Sequence, residues 1–176
     1  MSSIRKIGHI RNCLDRKTTL TLIHAFVTSR LDTCNALLAN LPANDINKLQ
    51  RIQNIAARIT ERATSRTSTT SILSSLHWLP INKRTQFKVL LLTFKALHGM
   101  APQYISALFH PYAPSRSLRS QSQKLLQVPR AHTQHYGQRA FSISAPTLWN
   151  QLPSNIRAAP TLDTFKKLLK TQLFKN

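Results

Sequence analysis

The stretch SLHWLPINKRTQFKVLLLTFKALHGMAP, residues 75–102, carries the clearest helical pattern in the chain. After Pro80 the apolar side chains recur at spacings of three and four, which predicts a helix that continues to about Leu97. Gly99 and Pro102 then predict its end, and a shorter helix is expected to end near Pro80. The buried side of the longer helix should contain Phe87, Leu90, Leu91, Phe94 and Leu97.

Three basic residues lie beside that predicted buried side. Arg84, Lys88 and Lys95 fall within about 40° of one another on a helical projection. Between Glu61 and Asp163 the chain has twelve Lys and Arg residues and no acidic residue. Because solvent-exposed surfaces usually mix both signs of charge, an unneutralised basic side on a core helix needs a physical explanation.

The whole chain is strongly basic. Its 176 residues include 25 Lys and Arg against 5 Asp and Glu, which gives a formal charge of +20. The hydrophobic content of 41% is typical of globular proteins, so we expect a folded chain and not extended disorder. A domain this positive repels itself unless it binds a polyanion. Nucleic acid is the most common such partner, and an anionic membrane surface is the next.

Two further helices are predicted before residue 63. Asp15 should cap a helix that begins at Arg16 and runs to about Asn40, which would be the longest of the chain. Its apolar stripe contains Leu20, Ile23, Val27, Leu31, Cys34, Leu38 and Leu41. The next helix should open at Asn44 or Asp45. Its apolar stripe contains Ile46, Leu49, Ile52, Ala56 and Ile59.

The second of these helices also has a basic side. An arc of about 80° beside its apolar stripe holds four basic residues and is interrupted by Ile55. The four are Lys48, Arg51, Arg58 and Arg62. The arrangement repeats, on another helix, the combination of apolar and basic sides found after Pro80.

The remainder of the chain is less regular. Residues 63–71 are typical of a polar linker, and residues 110–124 of a loop rich in Pro, Ser and Arg. KLLQVPR, 124–130, and RAFSIS, 139–144, are interpreted as two short strands. Thr161 should cap a terminal amphipathic helix. Its apolar face holds Leu162, Phe165, Leu169 and Leu173, and its basic face holds Lys166, Lys167 and Lys170.

The predicted fold is therefore mainly α. A helical first part is followed by a helical region whose C-terminal portion is rich in loops and has at most a small β element. Strand, if present, should be confined to residues 124–145.

The sequence predicts no catalytic centre. A metal-dependent polymerase or nuclease needs two or three converging carboxylates, and the five acidic residues form no adjacent pair. His132 and His135 have the spacing of two metal ligands but no near third one, so a polar loop is the preferred interpretation. Cys34 has no histidine on the same turn and is expected to pack in the core. We predict no catalytic residue, no metal, no cofactor and no small-molecule substrate.

The expected location is inside the cell. Cys13 and Cys34 form no C-x-x-C pair, which excludes a zinc knuckle and makes reduced thiols the expected state. The first twenty residues contain no apolar run suited to a signal peptide, and the longest aliphatic run, 89–92, is too short to span a bilayer. We expect a nuclear or cytoplasmic protein that is neither secreted nor membrane-spanning.

Basic residues that recur on two helices and in the Ser/Arg loop are typical of contacts with backbone phosphates. The predicted nucleic-acid-binding set is Lys48, Arg51, Arg58, Arg62, Arg84, Lys88, Lys95, Arg116 and Arg119. Five aromatic residues near these basic residues have two interpretations, stacking on unpaired bases or burial in the core. They are Trp78, Phe87, Tyr112, Tyr136 and Trp149.

Six segments occur in an order that resembles one family. They are HAFVTSRLDTCNALLANLP (24–42), LQRIQNIAARI (49–59), LHWLPINKRTQFKVLLLTFKALHGMAPQYI (76–105), PSRSLRS (114–120), YGQRAFSISAPTLWNQLPSNIR (136–157) and TLDTFKKLLKTQLF (161–174). Together they resemble the C-terminal end of reverse transcriptases from non-LTR retrotransposons (LINEs) of the jockey-like group. The resemblance covers nearly the whole chain, from about residue 4 onwards.

The resemblance implies that residues 1–62 correspond to the thumb that follows the polymerase palm, and residues 63–176 to the region beyond it. Family members also carry a palm with paired catalytic aspartates. This chain lacks it, so a catalytically inactive fragment of an RNA-directed DNA polymerase is implied. Thumbs grip a template–primer duplex through its backbone, which implies RNA or an RNA/DNA duplex as the partner. Thr33 stands where the family pattern has Tyr, a change that weakens a packing contact.

Two alternatives stay open. An interaction or membrane-surface protein would use the terminal helix to dock on a partner or on an anionic bilayer. A non-functional mobile-element remnant would leave leucines along residues 20–41 partly exposed and would tend to self-associate.

Overall fold

The computed structural model describes residues 2–113, 124–131, 133 and 137–175. Over these residues the chain is mainly α-helical, so the predicted fold class is confirmed. The backbone packs as two compact units, Met1–Arg84 and Thr85–Asn176, which we call the first and second units. Each unit contains its own set of buried apolar side chains.

The first unit contains five complete helices and the beginning of a sixth. They are α1 (Ser2–Ile10), α2 (Arg16–Ile23), α3 (Ser29–Asp32), α4 (Ala43–Glu61), α5 (Thr69–Ser75) and α6 (Ile81–Leu97). A π-helical turn, His24–Thr28, joins α2 to α3. Two 3-10 turns, Arg11–Cys13 and Asn35–Leu38, lie before α2 and after α3.

The predicted cap of the first long helix is confirmed, but its predicted length is wrong. The carboxylate of Asp15 accepts hydrogen bonds from the backbone N–H groups of Lys17 and Thr18. The helical run stops at Asp32, because Thr33 is extended and Cys34 adopts a left-handed conformation with φ of 52°. The longest helix among the described residues is instead α4, with 19 residues. The sequence predicted a longer helix because the 3-10 turn after Cys34 also carries leucines, which continue the apolar spacing.

α4 begins at Ala43, slightly earlier than Asn44 or Asp45, and Asp45 lies in its first turn. Its buried side is formed by Gln53, Ala56, Ala57 and Thr60. The larger members of the predicted stripe are only half-buried: Ile46, Leu49, Ile52 and Ile59. Small residues at the centre allow the neighbouring helices to approach closely, which apolar spacing alone did not show.

The core of the first unit extends beyond residue 62, where the sequence placed a boundary. It is built from Ile4, Ile7, Ile23, Val27, Ala56, Ala57, Ile72, Leu73 and Trp78. Gln53 secures the segment before α6, since its Nε2 donates to the carbonyl of Leu79 at 2.9 Å. Gln50 accepts a hydrogen bond from the N–H of Ile81 at 2.9 Å, which satisfies an end of α6. The residues after the polar linker therefore belong to the same compact unit.

In the described part of the second unit, the remainder of α6 is followed by four more helices. They are α7 (Gln103–Ser106), α8 (Phe141–Asn150), α9 (Ser154–Arg157) and α10 (Leu162–Lys175). Three aromatic rings form the centre of its core. Phe165 stacks on Phe94 with ring centroids 4.4 Å apart, and Trp149 lies 5.9 Å from Phe165.

The buried side of α6 differs from the predicted one. Leu90 and Phe94 are buried as expected, but Phe87 and Leu91 are half-buried and Leu97 is exposed. The buried side is centred on Thr85, Val89, Thr93 and Ala96. Threonine is tolerated there because its hydroxyl can bond to the helix backbone, as Thr93 Oγ1 does to the carbonyl of Val89 at 2.9 Å.

The prediction of two short strands is wrong. In RAFSIS, Arg139 ends a 3-10 turn (Gly137–Arg139) and the last four residues begin α8, since a short apolar run does not distinguish a strand from a buried helix. In the other segment, Leu126 forms only an isolated antiparallel bridge with Pro111. The side chain of Asn150 occupies the opposite edge of Leu126: it accepts from the N–H at 2.9 Å and donates to the carbonyl at 2.8 Å. A side-chain amide thus takes the place of a second strand.

The terminal helix α10 is confirmed. Thr161 caps it, because its hydroxyl accepts a hydrogen bond from the N–H of Thr164 at 3.2 Å. Phe165, Leu169 and Leu173 are buried in the second unit. The apolar face of this helix is therefore covered by the protein's own core.

Candidate nucleic-acid interface

All five carboxylates of the chain are engaged within the structure. Asp15 caps α2. The other four form ion pairs: Arg16 with Glu61 at 2.7 Å, Lys48 with Asp45 at 2.8 Å, Arg84 with Asp32, and Lys166 with Asp163 at 3.1 Å. Several exposed Lys and Arg residues of the described ranges, among them Arg30, Arg51 and Lys88, take part in none of these pairs. An external anion is the natural partner for those that reach solvent.

Arg84 has the carboxylate partner that its sequence neighbourhood lacked. Its Nε donates to Oδ1 of Asp32 at 2.9 Å and its Nη2 donates to Oδ2 of the same group. The side chain of Arg84 is only 18% exposed. The expectation that this arginine is unneutralised is therefore wrong, because a residue 52 positions earlier in the chain folds against it.

Arg58 and Arg62, at the C-terminal end of α4, are also occupied by internal bonds. Nη1 of Arg58 donates to the carbonyl of Thr64. Arg62 ends the helix in a left-handed conformation with φ of 51°, and its Nη2 donates to the carbonyls of Arg11 and Leu14 at 3.3 Å. Both arginines therefore close the end of the helix instead of presenting their charge along its outer side.

Arg11, which was not in the predicted set, is the most buried arginine of the first unit. Its guanidinium donates to the carbonyls of Ile59 and Thr60, in the last turn of α4, at 2.7 and 3.0 Å. A third bond goes to the carbonyl of Leu14 at 2.7 Å. A cation is favourable here because the last carbonyls of a helix carry partial negative charge. The signal in the sequence was its position: Arg11 continues the spacing of the buried Ile4 and Ile7.

The N-terminal part of α4 does present free basic charge to solvent. Arg51 lies about 160° around the helix from the buried Gln53 and is exposed. It forms no hydrogen bond or ion pair with any described residue. Lys48 is on the same side, and its pair with Asp45 is weak because the two side chains are 73% and 50% exposed. We call this surface, formed by Asn44, Asn47, Lys48, Arg51 and Ile55, the α4 outer face.

In the second unit, the predicted residues are divided in the same way. Lys88 is exposed and Lys95 is half-buried, and neither pairs with another described residue. Arg116 and Arg119 lie outside the described residues. Arg157 is buried and donates to the carbonyl of Asn150 at 3.0 Å. Burial lowers the pKa of this guanidinium, which no local pattern in the sequence had indicated.

The aromatic residues proposed for stacking are mostly unsuited to it. Trp78 and Trp149 are buried, and Phe87 is half-buried. Tyr112 is exposed, whereas Tyr136 lies outside the described residues. The sequence interpretation missed three exposed aromatic residues, Phe26, Tyr104 and Phe174, which have 50%, 73% and 37% of their surface open to solvent.

Cys34 is not a core residue as expected: it is exposed because it occupies the left-handed turn after α3. Cys13 is likewise a free, exposed thiol. Across the described ranges, no three His, Cys, Asp or Glu side chains lie together as a metal site would require. His132 and His135 are outside those ranges. No helix in the described part of the chain is both long and apolar enough to cross a membrane.

No protein-family model matches the sequence, and no characterised protein or solved structure shows significant similarity to it. The resemblance to LINE reverse transcriptases therefore stays a prediction that rests on the six segments. The function of the chain has to be inferred from its own geometry and charge.

Proposed function

We propose that this protein binds nucleic acid through its backbone phosphates, with the α4 outer face as the main contact in the first unit. The observation that carries the proposal is Arg51. This arginine is exposed, is opposite the buried side of its helix, and has no internal partner among the described residues. Its guanidinium retains all its donors for an external anion, and guanidinium groups match the geometry of phosphate oxygens.

The charge of each unit supports the same proposal. The first unit carries 13 basic and 4 acidic residues, and the second carries 12 basic and 1 acidic. Such an excess gives a sequence-independent attraction to a polyanion, which falls as salt rises because bound counterions are released. Asn44 and Asn47 add uncharged donors next to Lys48 and Arg51 on the α4 outer face.

The proposed partner is RNA or an RNA/DNA duplex, in keeping with the resemblance to the thumb and post-thumb region of a retrotransposon reverse transcriptase. In this proposal the chain contributes binding only and is catalytically inactive. Its acidic side chains are already used for a helix cap and four ion pairs, which leaves no pair of them to hold a divalent cation.

The alternative, docking through the terminal helix, has less support. A membrane-surface helix needs its apolar side to be available to the bilayer. In α10 that side is formed by Phe165, Leu169 and Leu173, of which the first two are fully buried and the third is 7% exposed. Docking through it would require the core of the second unit to open.

Binding measurements with matched ligands test the proposal. Fluorescence anisotropy would compare single-stranded RNA, an RNA/DNA duplex and a DNA duplex of equal length, and a flotation assay would use vesicles of anionic lipid. We expect all three nucleic acids to bind, with affinities that fall as salt rises. Binding to the vesicles alone, or affinities that do not change with salt, would contradict the proposal.

A further inference from the structure

Phe26 is an exposed aromatic ring in an otherwise ordinary helical surface. Half of its surface is open to solvent, whereas Trp78, the other Phe, Tyr or Trp among residues 2–84, is only 7% exposed. On the same side, one turn later, lie Ser29 and Arg30. Ser29 is small, and its hydroxyl is turned to the carbonyl of Ala25. The side chains that follow in the helix therefore leave the ring accessible.

The exposure of Phe26 coincides with an irregular turn of the helix. The N–H of Ser29 bonds to the carbonyl of His24, which makes His24–Thr28 a π-helical turn. The widened turn keeps Ile23 and Val27 in the core while the ring between them stays outside. A regular α-helix is normally preferred, so π-helical turns are rare. Those that occur are often found at functional sites.

Arg30 provides a cation next to this ring. It is exposed and forms no hydrogen bond or ion pair with the described residues. The carboxylate of Asp32, two residues further along the chain, pairs with Arg84 instead. A flat apolar ring one helical turn from a free guanidinium has the two features of a nucleotide contact, a stacking surface for a base and a donor for a phosphate.

We propose that Phe26 stacks on an unpaired base and that Arg30 holds an adjacent phosphate, so that the first unit binds single-stranded nucleic acid at this point. This rests on the proposed function and adds to it. A base inside a duplex has both faces covered by its neighbours, and only an unpaired base has a face free for the ring. The contact would therefore favour single strands without depending on which base is present, because every base has a π face.

The test uses the full chain, one fluorescent oligonucleotide of DNA, and a second one of equal length that contains abasic sites. The two ligands have the same phosphates, and the abasic one lacks bases. Phe26→Ala should weaken binding of the ordinary strand by about 5- to 150-fold, the range that stacking energies of single bases imply. Binding of the abasic strand should stay unchanged.

Three further variants serve as controls. Phe26→Leu keeps an apolar side chain and should lose the same selectivity, which covers the case in which Phe26→Ala fails to fold. Leu37→Ala removes another exposed apolar residue, 81% open to solvent, and should change neither affinity. Arg30→Gln should weaken binding of both strands. It should also flatten the slope of log K against log salt by about 0.7, the value of one phosphate contact on a single strand.

The outcomes separate the two proposals. If wild-type protein binds the ordinary strand and neither Phe26 variant changes that affinity, stacking is wrong and the phosphate-binding proposal stands. If the Phe26 variants bind the ordinary and the abasic strand with equally reduced affinity, stacking is also overturned, because the ring would then act through folding. If the wild-type chain binds no nucleic acid of any kind, both proposals fail.

Discussion

Arg84 pairs with Asp32 across 52 residues of sequence, with Nε 2.9 Å from Oδ1 and a second bond from Nη2 to Oδ2. The pair is partly sheltered, because the two side chains are 18% and 40% exposed. It ties the start of α6 to the end of α3. Asp32 is thereby removed from the acids available for chemistry, and Arg84 from the basic residues available for phosphate.

Arg84→Gln should therefore destabilise the protein without reducing phosphate contacts. Loss of a two-bond pair to a charged group is expected to lower the free energy of unfolding by about 1–3 kcal/mol, measured by urea denaturation. The dependence of nucleic-acid affinity on salt should keep its slope. Asp32→Asn should cause a similar loss of stability, and additive losses in the double variant would contradict a direct coupling of the two side chains.

The sequence predicted those features that depend on neighbouring residues. Asp15 and Thr161 cap the helices that they were expected to cap, and the helix after Pro80 ends at Leu97 as predicted. The stop at Thr33 and Cys34 was not visible, because a left-handed residue other than glycine has no reliable composition signal. RAFSIS was misassigned because its six residues fit both the two-residue repeat of a strand and the 3.6-residue repeat of a helix.

The candidate site was only partly predictable for a related reason. Helical spacing correctly placed Lys48 and Arg51 away from the buried side of α4. It did not show that Arg58, Arg62 and Arg84 have internal partners, since those acceptors are backbone carbonyls or a distant carboxylate. Charge alone does not distinguish an arginine that binds a partner from one that closes a helix.

Arg11 gives a test of helix closure. Arg11→Met keeps much of the side-chain volume but removes the guanidinium bonds to the carbonyls of Ile59, Thr60 and Leu14. Loss of these bonds should lower the free energy of unfolding by about 1–3 kcal/mol. Arg5→Met, on the exposed side of α1, is the matched control and should change stability by less than about 0.5 kcal/mol. Equal effects of the two substitutions would show that Arg11 does not close α4.

Phe94 should contribute more to stability than Phe87, although both were predicted to be buried. Phe94 is fully buried and stacked on Phe165, and Phe94→Ala should cost about 3–5 kcal/mol. Phe87 is half-buried, so Phe87→Ala should cost less than half of that amount. Thermal and urea unfolding would compare the two variants. A loss at Phe87 as large as that at Phe94 would mean that the buried side of α6 is wrongly placed.

Asp15 predicts a specific dependence of stability on pH. Hydrogen bonding to the Thr18 side chain, and then to the N–H groups of Thr18 and Lys17, holds the pKa of the Asp15 carboxyl below its ordinary value of 3.8. Because the pKa is lower in the folded state, ionisation of Asp15 stabilises the protein at any pH above the pKa of the unfolded state. This contribution is lost as the pH falls through the pKa of the folded state. Asn is also a good cap but does not titrate.

The difference in free energy of unfolding between wild type and Asp15→Asn isolates that contribution. This difference should be constant at pH values above the pKa of the unfolded state. As the solution becomes more acidic, wild type should lose stability relative to Asp15→Asn. Urea denaturation across a pH series measures it. A difference that does not change with pH would show that the carboxylate is not held by these bonds.

Arg51 offers the most direct test of phosphate binding by the α4 outer face. The measurement is the slope of log K against log salt for an RNA/DNA duplex, compared between wild type, Arg51→Gln and Arg84→Gln. The two substitutions remove the same charge from the first unit, one from an unpartnered surface and one from an internal ion pair. Arg51→Gln is predicted to weaken binding and to flatten the slope by about 0.7 to 0.9, the value of one phosphate contact, while Arg84→Gln leaves the slope unchanged. A slope unaffected by Arg51→Gln, or flattened equally by both variants, would contradict the assignment of this face.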